Sequence, residues 1–363
     1  MLKAMSRPAV AYINLANLRH NFRILAEHAG DATLMAVIKA DAYGHGLHLI
    51  APALFDEGCR CFAVTDAEEG AVLRRIVGPE AGDITLLSGI FDAMDADLCR
   101  EHRLTPALTG VWQADLLAAA GFHGHAWLKV DTGMHRLGSK DAPALYAACM
   151  HHGIGIAGLM SHLACADEPG HTLNTQQVES FQAIAATLPP GTRKSLLNSA
   201  GLVSMAGQAF DVVRPGIALY GAEPVAGLPL GLKPVMRLCG RVIQVNDVRE
   251  GESLSYGASF TASTDMRIAT VAMGYADGLP RVLSNCGQAA DLSHGGTAIL
   301  PIVGRICMDY CLLDASQSNI AVGTEIEFWG EGLPATQVAE TAGTIAYELF
   351  TGVGGRVVRL AIE

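Results

Sequence analysis

Leu34-Met35-Ala36-Val37-Ile38-Lys39-Ala40-Asp41-Ala42-Tyr43-Gly44-His45-Gly46 decides how the rest of the chain is read. Residues 34–38 are an unbroken apolar run of strand length, the pattern of a strand buried on both faces. The run stops at a lysine. At the C-terminal end of such a strand, where a sheet or barrel opens to solvent, a lysine is partly desolvated. Its pKa falls and its amine is freed for Schiff-base chemistry. The competing reading is a strand followed by a snorkelling surface lysine. Gly44 and Gly46 allow a tight turn and close approach of backbone to a ligand.

Similar short apolar runs follow at 61–65, 84–88, 104–108, 126–130, 156–160, 195–198 and 211–213. Segments with helical periodicity lie between them, among them 67–76, 111–120 and 176–188. Strands alternating with helices in this number predict a (β/α)8 TIM-type barrel. An open doubly wound sheet is the rival, but no G-x-G-x-x-G follows the first strand. In a barrel, reactive residues gather at the C-terminal strand ends. Here those ends carry Lys39, Lys129 with Asp131, Ser161 with His162, Asn198 with Ser199, and Arg214 before Pro215-Gly216-Ile217.

Each of these has a plainer reading. His162 reads equally as a satisfied structural histidine, Lys129 as a buried ion-pair member and Arg214-Pro215-Gly216 as a turn. Asn198-Ser199 is either a helix cap or a phosphate cradle at a helix start. Loops after the seventh and eighth strands of such barrels often hold phosphate, which makes Ser199, Gly216 and Ile217 candidates.

Helical periodicity stops after the loop at 227–232. Apolar strand patterns at 235–245, 253–261, 268–273, 299–313 and 325–328 predict a smaller, mostly β C-terminal domain. Short helices are expected at 335–341 and from 344. The domains are therefore read as 12–232 for the barrel and 233–363 for the β domain, with residues 1–11 joining the latter. Asn14 is placed to cap a helix carrying Leu15, Leu18, Phe22 and Leu25.

Half of the 363 residues are apolar and the net charge is −11. The basic residues are scattered, which argues against nucleic acid or an anionic membrane as a partner. No apolar run reaches membrane-spanning length, and the first eight residues lack the apolar core of a secretory leader. The nine cysteines have no framework or zinc-site spacing, so free thiols in a reducing cytoplasm are expected, with no metal.

The stretch at 37–46 resembles the pyridoxal-phosphate (PLP) lysine motif of the alanine racemase family, AVxKANAYGHG, with Asp41 in place of the commoner Asn. Lys129-Val130-Asp131-Thr132-Gly133-Met134-His135-Arg136-Leu137-Gly138 is similar to the family's VDTGMxRLG stretch. Met160-Ser161-His162-Leu163, Asn198-Ser199-Ala200 and Arg214-Pro215-Gly216-Ile217 follow in the family's order. Ser255-Tyr256-Gly257, Gly274-Tyr275-Ala276-Asp277-Gly278 and Gly304-Arg305-Ile306-Cys307-Met308-Asp309 match in the last third.

The resemblance implies a homodimeric, PLP-dependent racemase of alanine that supplies D-alanine for peptidoglycan. It implies Lys39 and Tyr275 as the two bases, on the D and L sides of the substrate. PLP contacts would come from Lys39, Tyr43, His162, Asn198, Ser199, Arg214, Gly216, Ile217 and Tyr347. Arg136 and Met308 would meet the substrate, and Lys129 is a carbamylation candidate. Tyr275 and Met308 would reach the barrel of a second subunit. Two bases are what racemisation requires, because one base on one face mostly returns the original isomer. Free tyrosine and lysine have pKa values near ~10 and ~10.4, so each needs burial or positive charge nearby to act at neutral pH.

The same fold also serves racemases of serine or of a broader range, non-catalytic PLP carriers and decarboxylases. Carriers usually lack the second domain, and the decarboxylases' His- and Gly-rich phosphate signature is not found. The wording at 285–296 and after Tyr347 departs from the family.

Overall fold

The computed structural model describes residues 7–293 and 297–363. They make two compact units. One holds residues 18–42 and 46–232; the other holds 7–17, 43–45 and 233–363. The N-terminal strand β1 (Val10–Asn14) lies in the second unit, so Tyr12 to Asn17 do not open the barrel as the boundary at 12 had it. Asn14 does cap the following helix, Leu15–Ala29: its Oδ1 accepts from the Asn17 N–H at 2.8 Å.

The first unit is a closed parallel barrel. Its strands are β2 (Thr33–Val37), β3 (Cys61–Val64), β4 (Ile84–Leu86), β5 (Thr105–Leu108), β6 (His125–Lys129), β7 (Gly155–Met160), β8 (Lys194–Asn198) and β9 (Val212–Arg214), with β9 returning to β2. All eight coincide with the apolar runs of the sequence to within two residues. The reason is burial on both faces. Ala36, Phe62, Leu86, Ala107, Leu128, Leu159, Leu196 and Val213, one from each strand, are wholly buried. Asp66, Asp92 and Asp141 cap the helices Ala67–Val77, Ala93–His102 and Ala142–His151 with their side chains. Each such cap stabilises by about 1 kcal/mol. Gly158 in β7 has φ +156°, and a Cβ there would come within 2.6 Å of the Arg193 carbonyl, so only glycine lets the strand pass.

The second unit is mostly β, as expected. Its further strands are β10 (Met236–Val248), β11 (Ser253–Leu254), β12 (Phe260–Thr261), β13 (Met266–Val271), β14 (Gln288–Asp291), β15 (Ala298–Val303), β16 (Cys311–Asp314), β17 (Glu325–Trp329) and β18 (Val358–Ile362). The sheet runs β13-β16-β15-β14-β17-β10-β1-β18, and β10 also pairs with β13, closing six strands into a ring. The long β10 makes this possible. Residues 236–239 pair with β1 and residues 242–248 pair with β13, with a register shift between Val242 and Gln244. β18 lies parallel to β1, from Val10 beside Val358 to Asn14 beside Ile362.

Two expected strands are each two. The run at 253–261 bends through a 3-10 turn, Tyr256–Ala258, and the run at 299–313 breaks at Gly304. The family-atypical stretches at 285–296 and after Tyr347 supply β14 and β18; residues 294–296 lie outside the described residues. The helices Ala335–Thr341 and Ala346–Thr351 stand where the sequence put them. All nine cysteines are free thiols.

Candidate active site

The chain leaves β2 through one turn of left-handed helix, Lys39–Tyr43. Ala40, Asp41, Ala42 and Tyr43 all have φ between 53° and 54°. Left-handed backbone costs roughly 1–2 kcal/mol for each non-glycine residue. The turn therefore needs specific support, and it has it. Ala42 N–H donates to the Ile38 carbonyl at 3.0 Å, and Gly46 N–H to the Asp41 carbonyl at 2.9 Å. Asp41 N–H donates to Glu69 Oε1 at 2.9 Å, and Asp41 Oδ1 accepts from Leu47 N–H at 2.7 Å. The half-buried Lys39 amine is held below the ordinary lysine range by burial and then by Arg136, against a smaller opposing pull from Glu69.

Further strand ends bring more cations to the same charge cluster. Lys129, 8 % exposed at the end of β6, donates from Nζ to the Leu87 carbonyl at 2.6 Å. Burial lowers its pKa to about 7, and Arg214, Arg136 and Lys39 push the same way. Among the described residues it forms no ion pair, and the charges that shift it, Arg214, Arg136 and Lys39, are positive. Arg214, 4 % exposed at the end of β9, donates to Ser195 Oγ and to the carbonyls of Ser161 and Leu196. Burial lowers its pKa to about 10, which leaves it cationic at neutral pH. Its Nη2 lies 3.4 Å from His162 Nδ1. Burial, then Arg214, Arg136, Lys129 and Lys39, hold His162 well below the usual histidine range. The ring is neutral, and an Nδ1 that accepts from Arg214 leaves its proton on Nε2.

Arg136 rides on a loop folded by Asp131. One Asp131 oxygen accepts from the N–H groups of Gly133 and His135, both at 3.0 Å, and the other meets His135 Nδ1. Gly138 returns the chain: a Cβ there would lie 2.5 Å from Asp131 N. After β8 and β9, Ser199 Oγ accepts from Gly216 N–H at 2.8 Å and Ala218 N–H at 3.4 Å. Its own O–H remains to be donated. Asn198 takes the cap alternative, accepting from Gly201 N–H at 2.9 Å.

The second unit carries the other candidates. Tyr275 starts a 3-10 turn, Tyr275–Asp277, whose first two N–H groups donate to the carbonyls of Cys307 and Met308 at 3.0 and 3.1 Å. Tyr275 and Met308 are thus on adjoining loops, with side chains 43 % and 53 % exposed. Tyr43 and Tyr347 meet with ring centroids 5.9 Å apart. Burial, then Tyr347, pushes the Tyr43 phenol far above the usual range.

Residues 13–224 match the family model described as alanine racemase, N-terminal domain, and residues 235–361 match the C-terminal domain model. The chain belongs to the alanine racemase family. A biosynthetic alanine racemase of Pseudomonas aeruginosa is 40 % identical over 362 residues, covering 97 % of this chain and 99 % of that protein. A catabolic alanine racemase of Agrobacterium fabrum is 41 % identical over 361 residues, covering 97 % and 91 %. Among solved structures, the Pseudomonas aeruginosa biosynthetic enzyme superposes with TM-score 0.89 at 38 % identity, covering 98 % of this chain and 100 % of that one. Alanine racemase from Bartonella henselae, solved with covalently bound pyridoxal phosphate, gives TM-score 0.89 at 34 % identity, covering 98 % and 99 %.

Set against the family motifs, the barrel unit gathers Lys39, Lys129, Arg136, His162 and Arg214 into one electrostatic cluster, while Ser199 meets Gly216 beside Ile217. The second unit gathers Tyr275 with Met308, and Tyr43 with Tyr347. Two barrel residues escaped the sequence reading. Glu69 supports the Lys39 turn, and its signal was Asp66-x-x-Glu69, an acidic cap before an apolar helix. Ser195, which accepts from Arg214 and donates to the Val212 carbonyl, carried no signal inside its strand. Among the described residues no group of His, Cys, Asp or Glu is disposed to hold a metal ion.

Proposed function

We propose that this chain interconverts L- and D-alanine with pyridoxal phosphate, through two bases on opposite faces of the substrate. The observation that carries the reading is the cation cluster at the barrel strand ends, a lysine of lowered pKa among buried cations. The donors fit the cofactor's chemistry: an amine for its aldehyde, an arginine for its ring nitrogen, and the Ser199 hydroxyl with the Gly216–Ile217 backbone for its phosphate. Pyridoxal phosphate, when bound, supplies the electron sink that makes the Cα–H of an amino acid acidic.

Lys39 would hold the cofactor at rest, and its Nζ exchanges the D-side proton. Tyr275 exchanges the L-side proton at its phenol oxygen. Arg214 would hold the ring nitrogen while keeping its own proton, which would leave the electron sink moderate and discourage side reactions. Neutral His162 packs against that arginine and adds no charge. Arg136 takes the substrate carboxylate, beside Met308. Tyr43 and Tyr347, which meet each other, are phosphate candidates from the family resemblance.

Lys129 is the carbamylation candidate. A buried amine of pKa about 7 is largely neutral just above that pH and can add carbon dioxide, losing a proton and becoming an anion. That converts a repelling cation into a partner for Arg136. Two copies associate, each lending Tyr275 and Met308 to the other's barrel; the exposure of both side chains supports this. Nine free thiols fit a reducing cytoplasm, where D-alanine would feed peptidoglycan.

The test is incubation with L-alanine in heavy water, with L-serine alongside, following Cα deuteration by NMR and chirality by optical rotation. Deuteration together with racemisation, faster on alanine, is expected. Deuteration without racemisation would sink the two-base reading, and faster turnover of serine would reassign the substrate.

A further inference from the structure

The turn that carries Tyr275 rests on a buried carboxylate. Asp277, two residues on, is wholly buried. Its carboxylate accepts from Arg7 Nε at 2.8 Å, from Arg7 Nη2, from Arg356 Nε at 2.7 Å and from Gly274 N–H at 2.9 Å. Burial alone would raise its pKa; the bonds from Arg7, Arg356 and Gly274 outweigh that and hold it below the ordinary carboxylate range. The same two arginines seize the neighbouring loop. Arg7 donates to the Asp309 carbonyl at 2.8 Å, and Arg356 to the Met308 carbonyl at 3.2 Å. Arg356 also pairs with the Asp309 carboxylate at 2.8 Å. The Met308 carbonyl in turn accepts from Ala276 N–H.

The network thus binds the loop bearing Tyr275 to the loop bearing Met308, and it consists of two cations and two anions. Only Asp277 is buried; Arg7, Arg356 and Asp309 are partly exposed, so the network adds little net stability. What it supplies is a fixed geometry, with every lone pair of Asp277 directed. We propose that Asp277, gripped by Arg7 and Arg356, is the positioning residue that fixes the Tyr275 turn against the Met308 loop and so sets the phenol for the L-side proton. This rests on the reading of Tyr275 as the L-side base.

The experiment compares primary deuterium isotope effects with α-deuterated L-alanine and α-deuterated D-alanine in the holoenzyme and in Asp277→Asn. A misplaced phenol slows only the L-side transfer. The effect from deuterated L-alanine rises, the effect from deuterated D-alanine falls towards unity, and kcat drops on the order of 10- to 100-fold. Arg356→Lys keeps the charge but loses the fork, and it shifts both effects in the same senses by less. Amide hydrogen exchange of residues 274–278 in the holoenzyme also speeds up in both variants. Loss of turnover with both isotope effects unmoved means only fewer folded molecules, and overturns the proposal. Tyr275→Phe separates the two layers. Unchanged turnover there sinks the base assignment itself, whereas lost turnover there beside unmoved isotope effects in D277N and R356K sinks only the positioning role.

Discussion

The turns that carry Lys39 and Tyr275 are built on opposite principles. The Lys39 turn sits in costly left-handed backbone and faces an excess of positive charge, with one carboxylate, Glu69, in support. The Tyr275 turn is relaxed in backbone and rests on charges that balance among Arg7, Arg356, Asp277 and Asp309. The difference follows from the two side chains. An amine must lose its proton to react, so its surroundings are arranged to make that charge unwelcome. A phenol acting as a base must lose its proton too, but what the Tyr275 turn itself supplies is a fixed position.

The largest effects should come from removing the side chains. Lys39→Ala and Tyr275→Phe should each lower racemisation by roughly 10²- to 10⁴-fold. Only the lysine variant should also lose covalently held cofactor, read from its absorbance. Mixing the two inactive variants should restore part of the activity, because one hybrid site then keeps both residues. No recovery after subunit exchange would show that the sites are not shared.

Backbone changes come next, and they should have opposite signs in the two turns. Ala40→Gly relieves left-handed strain at an exposed position and should raise stability by about 1 kcal/mol in denaturant titrations. Gly274→Ala should lower it by about 1–3 kcal/mol, since a Cβ there would meet the Cys307 carbonyl at 2.5 Å. A loss of stability in A40G would mean that the left-handed turn is not strained.

The pH dependence contributed by Lys129, read per pH unit, comes next. Its pKa is about 7 in the folded chain and near the ordinary lysine value when unfolded. Between those values the unfolded chain binds more protons, so stability rises with pH across that window. In carbon dioxide-free buffer, Lys129→Met should flatten that rise by up to ~1.4 kcal/mol per pH unit. The smallest effect belongs to Glu69→Gln. Without its pull on the amine, Lys39 loses its proton more readily, and the apo chain should take up pyridoxal phosphate roughly 2- to 5-fold faster near neutral pH.

What the sequence revealed follows the same physics. Strands buried on both faces leave unbroken apolar runs, so the barrel and its strand-end residues were legible from Lys39 to Arg214. The left-handed turn was not, because Ala40 and Ala42 carry no turn signal and the glycines that do, Gly44 and Gly46, come after it. β14 hid in Gln288-Ala289-Ala290-Asp291, residues of low strand preference that are held by pairing with β15 and β17. Asn198-Ser199 was open between cap and cradle because one polar pair suits both; the fold gives the cap to Asn198 and the N–H groups of Gly216 and Ala218 to Ser199. Arg7 and Arg356 were invisible as partners of Asp277, since nothing local marks contacts across 270 and 79 positions.

The parallel pairing of β1 with β18 sets an order of events on the ribosome. The barrel unit ends at Leu232, so all its residues are available for folding while the rest of the chain is still being made. The second unit has its first strand synthesised before the barrel strands and its last strand only at residues 358–362. The intervening synthesis takes roughly 20–70 seconds. During that time β1 lacks both of its sheet neighbours at first, and then still lacks β18. The support for Tyr275 is completed equally late, when Arg356 emerges. A nascent chain therefore has every barrel residue needed for the lysine half of the site well before it can hold the tyrosine half in place.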